Sequence, residues 1–379
     1  MKRDRRKGAE GKRPQTNRVA KLRTLLDNDL FNQNCSWVDS NTSQPPIVDE
    51  FAVADLFSGC GGMTLGFKQA GFEPVFSVEL DPDASRTYRH NFPSAYHHEG
   101  LIENLSDEAA LTALGGRQVH VLCGGFPCQG FSVAGHRRPE DDRNRLFHEL
   151  VRFAKLFKPW FVVGENVPGV VTLDGGRFYR EIITEFAKIG YPNMTVRVLE
   201  SAEYGVPQLR PRAIFIGNRF GLRNPYPKPI LDEQSFVPIE AALEDLKGRG
   251  RDPSINHEWT LHSPEMEQRI AAVEPGASLY GSKFYDAWKR QYRGVPAMTV
   301  KENHGGTHIH YELNRVISAR EMARLQSFPD DFIFSGRMKR VMFQVGNAVP
   351  PLLGRYVAQA LLPSLRDIAA RQNTSAVSA

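Results

Sequence analysis

Residues 51–62 read Phe51-Ala52-Val53-Ala54-Asp55-Leu56-Phe57-Ser58-Gly59-Cys60-Gly61-Gly62, an apolar run that ends in a glycine-rich turn. The run predicts a strand over Phe51–Phe57, and the segment after the turn predicts a helix over Met63–Ala70. Glu79 follows Asp55 by 24 residues, at the end of a second predicted strand over Pro74–Leu80. Glycines at a strand-to-helix turn let a ligand approach the backbone, and an acidic residue that ends the next strand can hold ribose hydroxyls. The segment therefore predicts a nucleoside site, and because Gly-x-Gly-x-x-Gly is absent, an adenosyl cofactor without pyrophosphate is favoured over a dinucleotide.

Strands and helices continue to alternate along the chain. The further predicted elements are helices at Ala84–Asn91, about Arg145–Phe157 and about Phe178–Ile189, strands at Val119–Cys123, Trp160–Gly164, Thr195–Glu200 and Ala213–Ile216, and helical segments at about Ser318–Gln326 and after Pro350. Alternation of this kind produces parallel strands joined by helices. The order predicts an α/β fold with a doubly wound, mostly parallel, Rossmann-like sheet.

The alternation fails between about residues 219 and 313, where Pro- and Gly-rich pieces such as Asn224-Pro225-Tyr226-Pro227-Lys228-Pro229 replace it. We predict a main domain over 51–218, a smaller irregular domain over 219–313, a return segment over 314–365 that completes the main domain, and a tail over 366–379. Residues 1–50 are predicted to be a basic, disordered tail and linker. The tail is either an electrostatic arm for phosphates or a solvated terminus.

Charge and composition limit the class of protein. Residues 1–23 hold ten Lys or Arg and two Asp or Glu, so this segment alone has a larger positive charge than the +5 of the whole chain. The net charge is therefore weak evidence that the folded part binds nucleic acid. No apolar run could cross a bilayer and no secretory signal follows the basic start, so an intracellular, reducing setting is expected. The four cysteines then are free thiols without a Cys-x-x-Cys pair, and no metal site is predicted.

A cysteine loop follows one of the predicted strands. The loop reads Gly124-Gly125-Phe126-Pro127-Cys128-Gln129-Gly130-Phe131-Ser132, directly after Val119–Cys123. Open α/β sheets place ligands at this carboxyl edge. Pro127 fixes φ, and the glycines allow backbone conformations that other residues avoid. An isolated cysteine is usually a small core hydrophobe, but this loop favours a nucleophilic Cys128.

Two further groups are expected at the same edge. Glu165 comes directly after the strand at Trp160–Gly164, and burial there would raise the pKa of its carboxyl so that it could donate a proton to a ring nitrogen. The alternative is a strand-end glutamate that hydrogen-bonds the neighbouring loop. In Gln208-Leu209-Arg210-Pro211-Arg212, alternate side chains of an extended segment bring two guanidinium groups to the site, or form a solvated edge.

In this order the pieces resemble the cytosine-C5-specific DNA methyltransferases of the bacterial restriction-modification type, which depend on S-adenosyl-L-methionine. The resemblance covers about residues 51–360. The matching pieces are Asp55–Gly62, Glu79, Pro127-Cys128-Gln129 with Phe131-Ser132, Glu165-Asn166-Val167, Tyr204–Gln208 with Arg210 and Arg212, Arg320–Pro329 and Gly346–Pro351.

The resemblance implies a role for each site residue. Cys128 would add to C6 of a flipped cytosine, Glu165 would protonate or hydrogen-bond N3, and Arg212 would support Glu165. The implied cofactor contacts are Phe57, Ser58, Gly59, Gly61, Gly62, Glu79, Leu80, Pro127, Asn347 and Val349. The implied DNA contacts are Gln129, Ser132, His136, Arg137, Arg138, Arg210 and Arg293, with Ser132–Arg143 as a lid and 219–313 as the target-recognition region. The segment His98-Glu99-Gly100-Leu101-Ile102 departs from the family's pattern. The family often has an acidic residue here that contacts the adenine amino group, and Glu99 is expected to replace it.

The expected function is methylation of a cytosine within a short duplex DNA sequence, by the partner of a restriction endonuclease or by a solitary enzyme. The expected partners are double-stranded DNA and an endonuclease that acts on the same site without a stable complex. A cytoplasmic, DNA-associated monomer without membrane contact is expected. The alternatives are a tRNA methyltransferase of the same fold and a catalytically silent DNA-binding regulator; a nicotinamide oxidoreductase is disfavoured because its glycine fingerprint is missing.

Overall fold

The computed structural model describes residues 14–39, 51–127, 146–281, 288–301 and 308–377. Cys128 and the predicted lid lie outside these residues. The described helices are α1 (Pro14–Asp27), α2 (Gly62–Gln69), α3 (Pro82–Asn91), α4 (Asp107–Leu114), α5 (Phe147–Phe157), α6 (Arg177–Lys188), α7 (Ile239–Leu243), α8 (Pro264–Ala271), α9 (Ala319–Leu325), α10 (Met338–Asn347) and α11 (Pro351–Val377). The described strands are β1 (Cys35–Val38), β2 (Phe51–Leu56), β3 (Phe72–Glu79), β4 (Tyr96–Glu99), β5 (Val121–Gly124), β6 (Phe161–Asn166), β7 (Thr195–Glu200), β8 (Pro211–Asn218), β9 (Asn224–Pro227), β10 (Lys289–Arg290) and β11 (His308–Ile309).

A seven-stranded sheet forms the centre of the described structure, in the order β4-β3-β2-β5-β6-β8-β7. β2 pairs in parallel with both β3 and β5, whereas β8 runs antiparallel to its neighbours β6 and β7. The chain builds outward from β2 to β4 and then returns to β5 on the other side of β2. A topological switch point therefore lies between β2 and β5, and the predicted doubly wound, mostly parallel α/β sheet is confirmed.

Helices cover both faces of the sheet. On one face a large apolar cluster combines sheet residues such as Val75 with residues of α1, α5 and α6, for example Leu26, Phe153 and Ile182. On the other face α2 and α11 pack together over the sheet, with Phe67 and Leu353 fully buried. Apolar side chains on both faces explain why the central strands read as continuous apolar runs.

A glycine sets the distance between α2 and α11. A Cβ at Gly66 would lie 2.4 Å from the carbonyl oxygen of Pro351 and 2.5 Å from the backbone nitrogen of Arg355. Because both obstacles are backbone atoms, a larger residue could be accepted only if the helices separated. The contact brings the far carboxyl-terminal helix beside the first βα unit, as the resemblance implied.

The predicted disordered tail over 1–50 is wrong for residues 14–39. Val19, Leu22 and Leu26 of α1 are buried in the core, and β1 pairs in parallel with β9. Charged residues lie between the three apolar positions, so composition alone does not reveal this amphipathic stripe. The predicted tail over 366–379 is also wrong, because α11 continues to Val377 and buries Ile368.

The predicted irregular domain contains little regular structure in its described part. Its own small core consists of Ile270, Val273 and Ile309, packed against partly buried residues that include Trp288. β9 departs from the predicted boundary because it pairs with β1 and contacts α11. The other domain limits stay a prediction. Within the described ranges, no helix is both long and apolar enough to span a membrane.

Candidate active site

Several of the predicted site residues meet at the carboxyl edge of the sheet. Phe57 follows β2, Glu79 ends β3, Pro127 follows β5 and Glu165 lies near the end of β6. These four strands are consecutive in the sheet order β3-β2-β5-β6. Since ends of adjacent parallel strands lie about 5 Å apart, the residues line one continuous edge across the switch point.

The glycine-rich turn after β2 is held open toward solvent. Phe57 and Gly59 both have φ of 56°, a left-handed conformation that is costly for phenylalanine. The Ser58 N–H donates to the carbonyl of Val78 at 3.0 Å, which ties the turn to β3. A Cβ on Gly59 would meet no atom within 4 Å. The turn therefore borders open space that a ligand can occupy.

Glu79 fixes the same turn from the neighbouring strand. Its carboxylate accepts the N–H of Gly59 at 2.7 Å through one oxygen and the N–H of Asp81 at 2.7 Å through the other. Burial raises the pKa of the Glu79 carboxyl, and the two backbone N–H groups oppose that rise. Leu80, next in the chain, leaves 59% of its surface exposed and adds an apolar rim.

The turn between α10 and α11 packs against the start of α2. A Cβ on Gly62 would lie 2.3 Å from the carbonyl oxygen of Val349 and 3.3 Å from Cβ of Ala348. Val349 is buried, whereas Asn347 is exposed at the end of α10. The structure thus brings predicted cofactor residues from the turn after β2 and from the turn before α11 to one place.

Glu165 and Arg212 form a buried ion pair. Arg212 Nε lies 2.7 Å from Glu165 Oε1, and the two side chains are 10% and 12% exposed. Antiparallel pairing of β6 with β8 places these residues on adjacent strands. Burial raises the pKa of the Glu165 carboxyl, while the charges of Arg212 and Arg210 lower it. The pair satisfies the expectation from the sequence that a guanidinium steadies Glu165.

The described part of the cysteine loop contacts Glu165. A Cβ on Gly125 would lie 3.1 Å from Glu165 Oε2, and the Asn166 side chain donates to the carbonyl of Phe126 at 3.0 Å. The Phe126 ring is buried and fixes the loop in the core. The loop is therefore anchored to β6 at Phe126, two residues before Cys128.

The position of Arg210 does not support its predicted DNA contact. Arg210 is 1% exposed, and its guanidinium donates to the carbonyls of Val300 at 2.6 Å, Gly346 at 2.6 Å and Ala348 at 2.9 Å. The residue precedes β8, so the alternation of a strand does not direct its side chain to the same place as Arg212.

Arg293, another predicted DNA contact, lies on the surface among carboxylates. Its guanidinium is 3.4 Å from Glu312 and 3.8 Å from both Glu240 and Glu244. The DNA contact stays a prediction, and it requires these ion pairs to rearrange. The other predicted DNA residues, Gln129, Ser132, His136, Arg137 and Arg138, lie outside the described residues.

Two residues that position parts of the site were not predicted from the sequence. Asp55 is buried in β2 and accepts the Thr64 hydroxyl at 2.6 Å, which fastens β2 to α2, and burial raises its pKa to about 7. A carboxylate within an apolar run was the available signal. Asn166 gave no separate signal, because its partner is a backbone carbonyl of a distant loop.

The adenine contact expected of Glu99 stays a prediction, and it requires an ion pair to open. Its carboxylate pairs with Arg89 at 2.7 Å on the surface. Leu101, which follows β4, is 48% exposed. The described residues also contain no group of three His, Cys, Asp or Glu side chains that could hold a metal ion.

Comparisons with known proteins agree with this geometry. A family model described as C-5 cytosine-specific DNA methylase matches residues 51–362. The Type II methyltransferase M1.HphI of Haemophilus parahaemolyticus is 39% identical over 320 residues, covering 81% of this chain and 86% of the relative. M.XorII of Xanthomonas oryzae is 35% identical over 361 residues, covering 82% of this chain and 84% of the relative.

Solved structures give the same answer for the fold. A prophage-encoded DNA modification methyltransferase (E. coli) superimposes with a TM-score of 0.70 at 26% identity, covering 84% of this chain and 100% of that chain. The family match spans most of the chain, includes every described strand of the central sheet and contains the Glu165–Arg212 pair. The chain therefore belongs to the C-5 cytosine-specific DNA methylases.

Proposed function

We propose that this protein methylates C5 of one cytosine within a specific short duplex sequence, as the modification enzyme of a restriction-modification system. The observation that carries the proposal is the buried Glu165–Arg212 pair beside the loop that leads to Cys128. An acid held next to a nucleophile is the arrangement that addition to a pyrimidine ring requires. Family membership makes S-adenosyl-L-methionine the methyl donor.

The turn after β2 fits this cofactor. Open space above Gly59 would admit an adenosyl group, the Glu79 carboxylate would accept ribose hydroxyls, and exposed Leu80 would offer an apolar surface to a base. Contacts from Phe57, Ser58, Gly61, Gly62, Pro127, Asn347 and Val349 complete the proposed site. When bound, the cofactor supplies an electrophilic methyl group on a positively charged sulfur.

The protein side chains activate the cytosine. Cys128, as thiolate, attacks C6 and turns C5 into a nucleophile. Glu165 donates its proton or a hydrogen bond to N3, so negative charge does not accumulate on the ring. Arg212 holds the Glu165 carboxyl in place through the 2.7 Å contact. After methyl transfer C5 loses its proton to solvent, and elimination across C5 and C6 breaks the Cys128–C6 bond, which returns the thiolate while N3 gives back any proton received from Glu165.

The target base must leave the duplex before this chemistry can occur. Unstacking and unpairing cost roughly a few kcal/mol, which contacts to the DNA backbone have to offset. We assign these contacts to the lid that starts at Ser132, with Gln129, His136, Arg137 and Arg138, and to the region over 219–313. Arg293 joins them once its acidic partners exchange for phosphates.

A covalent trapping experiment tests the proposal. Duplex DNA carrying 5-fluorocytosine, incubated with the protein and S-adenosyl-L-methionine, should give an adduct that survives a denaturing gel, because the fluorine blocks the final elimination. Cys128→Ser should give no adduct, and Cys123→Ser should give one, because Cys123 is buried inside β5. Sequencing of methylated plasmid then identifies the target.

The contrary outcomes separate the alternatives. Methylation of tRNA without methylation of DNA would establish the tRNA enzyme. DNA binding without adduct or methyl transfer would establish a silent regulator. Protection of plasmid from an endonuclease with the same recognition sequence distinguishes the restriction-modification partner from a solitary enzyme.

A further inference from the structure

A buried cluster of polar side chains lies next to the Glu165–Arg212 pair. It consists of Gln208, Arg210 and Gln326, which are all between 0% and 1% exposed. Gln208 and Arg210 precede β8, and Gln326 follows α9. Burying three such groups is costly unless every donor finds an acceptor, so their partners indicate what the cluster holds together. We call this cluster the clamp.

Arg210 joins two distant segments of the chain. Its Nη1 donates to the Val300 carbonyl at 2.6 Å, within the predicted target-recognition region. Its Nη2 donates to the carbonyls of Gly346 at 2.6 Å and Ala348 at 2.9 Å. Charge-assisted hydrogen bonds of this length are among the stronger ones, and three of them offset much of the cost of a buried cation.

The two glutamines divide the remaining contacts. Gln208 accepts the Val300 N–H at 2.6 Å and donates to Leu325 O at 2.9 Å and to Gln326 Oε1 at 3.1 Å. Gln326 donates to the carbonyls of Val345 at 2.7 Å and Ala348 at 3.3 Å. Gln208 therefore holds the Val300 segment, Gln326 holds the turn after α10, and Arg210 holds both.

The turn over 346–349 faces the cofactor region on its other side. Val349 O and Ala348 Cβ lie against Gly62, at the start of α2 and directly after the glycine-rich turn. The turn is thus fixed between the clamp and α2. A change in the clamp therefore displaces the turn relative to the cofactor site.

We propose that Arg210 and Gln326 are positioning residues for cofactor binding, acting through the turn over 346–349, and that Arg210 does not contact DNA. This inference rests on the proposed function, because it takes the turn to be part of the cofactor site. Gln208 supplies a matched control. It is equally buried and donates to Gln326, but its own hydrogen bonds go to Val300, Leu325 and Gln326 and not to the turn.

The test compares three variants of the full chain, Arg210→Met, Gln326→Met and Gln208→Met. Calorimetry with S-adenosyl-L-homocysteine and no DNA measures the affinity of the free protein. Loss of a buried hydrogen bond to the turn should raise Kd about tenfold in Gln326→Met and at least as much in Arg210→Met. Gln208→Met should stay within about threefold of wild type. Thermal unfolding should show similar stability losses for both glutamine variants.

A second measurement tests whether the Arg210 guanidinium contacts a DNA phosphate. The logarithm of DNA affinity falls linearly with the logarithm of salt concentration, and removing one phosphate contact lowers that slope by about one. Arg210→Met should leave the slope unchanged. If Arg210→Met does not fold, the comparison between the two glutamine variants carries the test alone.

Three results would overturn the inference. They are wild-type cofactor affinity in Gln326→Met, an equal loss of affinity in Gln208→Met, and a salt slope reduced by about one in Arg210→Met. Failure of the proposed function would look different, because wild-type protein would then bind no S-adenosyl-L-homocysteine or leave DNA unmethylated.

Discussion

The packing of α2 against α11 can be tested with Gly66→Ala. The added Cβ would lie 2.4 Å from Pro351 O, 2.5 Å from Arg355 N and 2.7 Å from Gly354 C. Ordinary Cβ contacts begin near 3.4 Å, so the two helices must separate by about 1 Å. No side chain can rotate away to relieve the contact, since all three obstacles belong to the backbone.

Two opposing free energies set the expected magnitude. Overpacking a well-filled interface costs about 1–3 kcal/mol, and an obstacle made of backbone places this site near the upper end. Alanine gains about 1 kcal/mol over glycine from helix propensity. We therefore expect Gly66→Ala to lower the free energy of unfolding by about 2 kcal/mol, which corresponds, for a chain of this length, to a decrease in Tm of roughly 2–3 °C.

Urea and thermal unfolding monitored by circular dichroism measure this loss. Gly248→Ala is the matched control, because a Cβ at Gly248 meets no atom within 4 Å and the change should stay within about 0.5 kcal/mol. The separation should also weaken binding of S-adenosyl-L-homocysteine, because Gly62 contacts the 346–349 turn one helical turn earlier. A Gly66→Ala protein as stable as wild type, or an equal loss in Gly248→Ala, would refute the packing argument.

Other substitutions probe the site and the sheet edge. Glu165→Gln should lower kcat by about 10²–10⁴-fold and leave affinity for S-adenosyl-L-homocysteine nearly unchanged, so an unaltered kcat would remove Glu165 from the mechanism. Because the reaction uses the protonated carboxyl, wild-type methylation should fall as pH rises through the raised pKa of Glu165. Arg212→Met removes a positive charge that lowers this pKa, so the alkaline limb of the pH profile of this variant should move to higher pH. Glu79→Gln places an amide N–H₂ against a backbone N–H and should raise the Kd of S-adenosyl-L-homocysteine about tenfold by calorimetry, with little effect expected on kcat at saturation. Asn32→Ala should cost about 1–3 kcal/mol in urea unfolding because it leaves the buried Val196 N–H of β7 unpaired and removes one of two donors to the Val196 carbonyl, whereas exposed Lys21→Ala should cost little.

The parts of the fold that follow from local chemistry were predictable. An apolar run before a glycine-rich turn specifies β2, and a strand that ends in an acidic residue specifies β3. The strand limits shifted by one or two residues, because pairing decides where a strand ends. β5 extends to Gly124, for example, since that residue pairs with Gly164 of β6.

Residues whose partners lie far away in the sequence could not be assigned. The same short motif contains Arg210 and Arg212, and strand alternation directs both to one face. The structure gives them different surroundings because β8 begins at Pro211. The acceptors of Arg210 come from segments 90 to 138 residues later in the chain. No local pattern carries that information, so only Arg212 was placed correctly beside Glu165.

The segment before the family match has a structural connection to the site. β7 is the last strand of the sheet, and an uncovered edge exposes unpaired backbone groups. The Asn32 side chain donates to Val196 O at 2.8 Å and accepts Val196 N–H at 2.7 Å, as a neighbouring strand would. Arg23 donates to Val198 O at 2.9 Å. β7 in turn pairs with β8, where Leu199 lies opposite Arg212. The amino-terminal segment thus completes the sheet edge that supports Arg212 and, through it, Glu165.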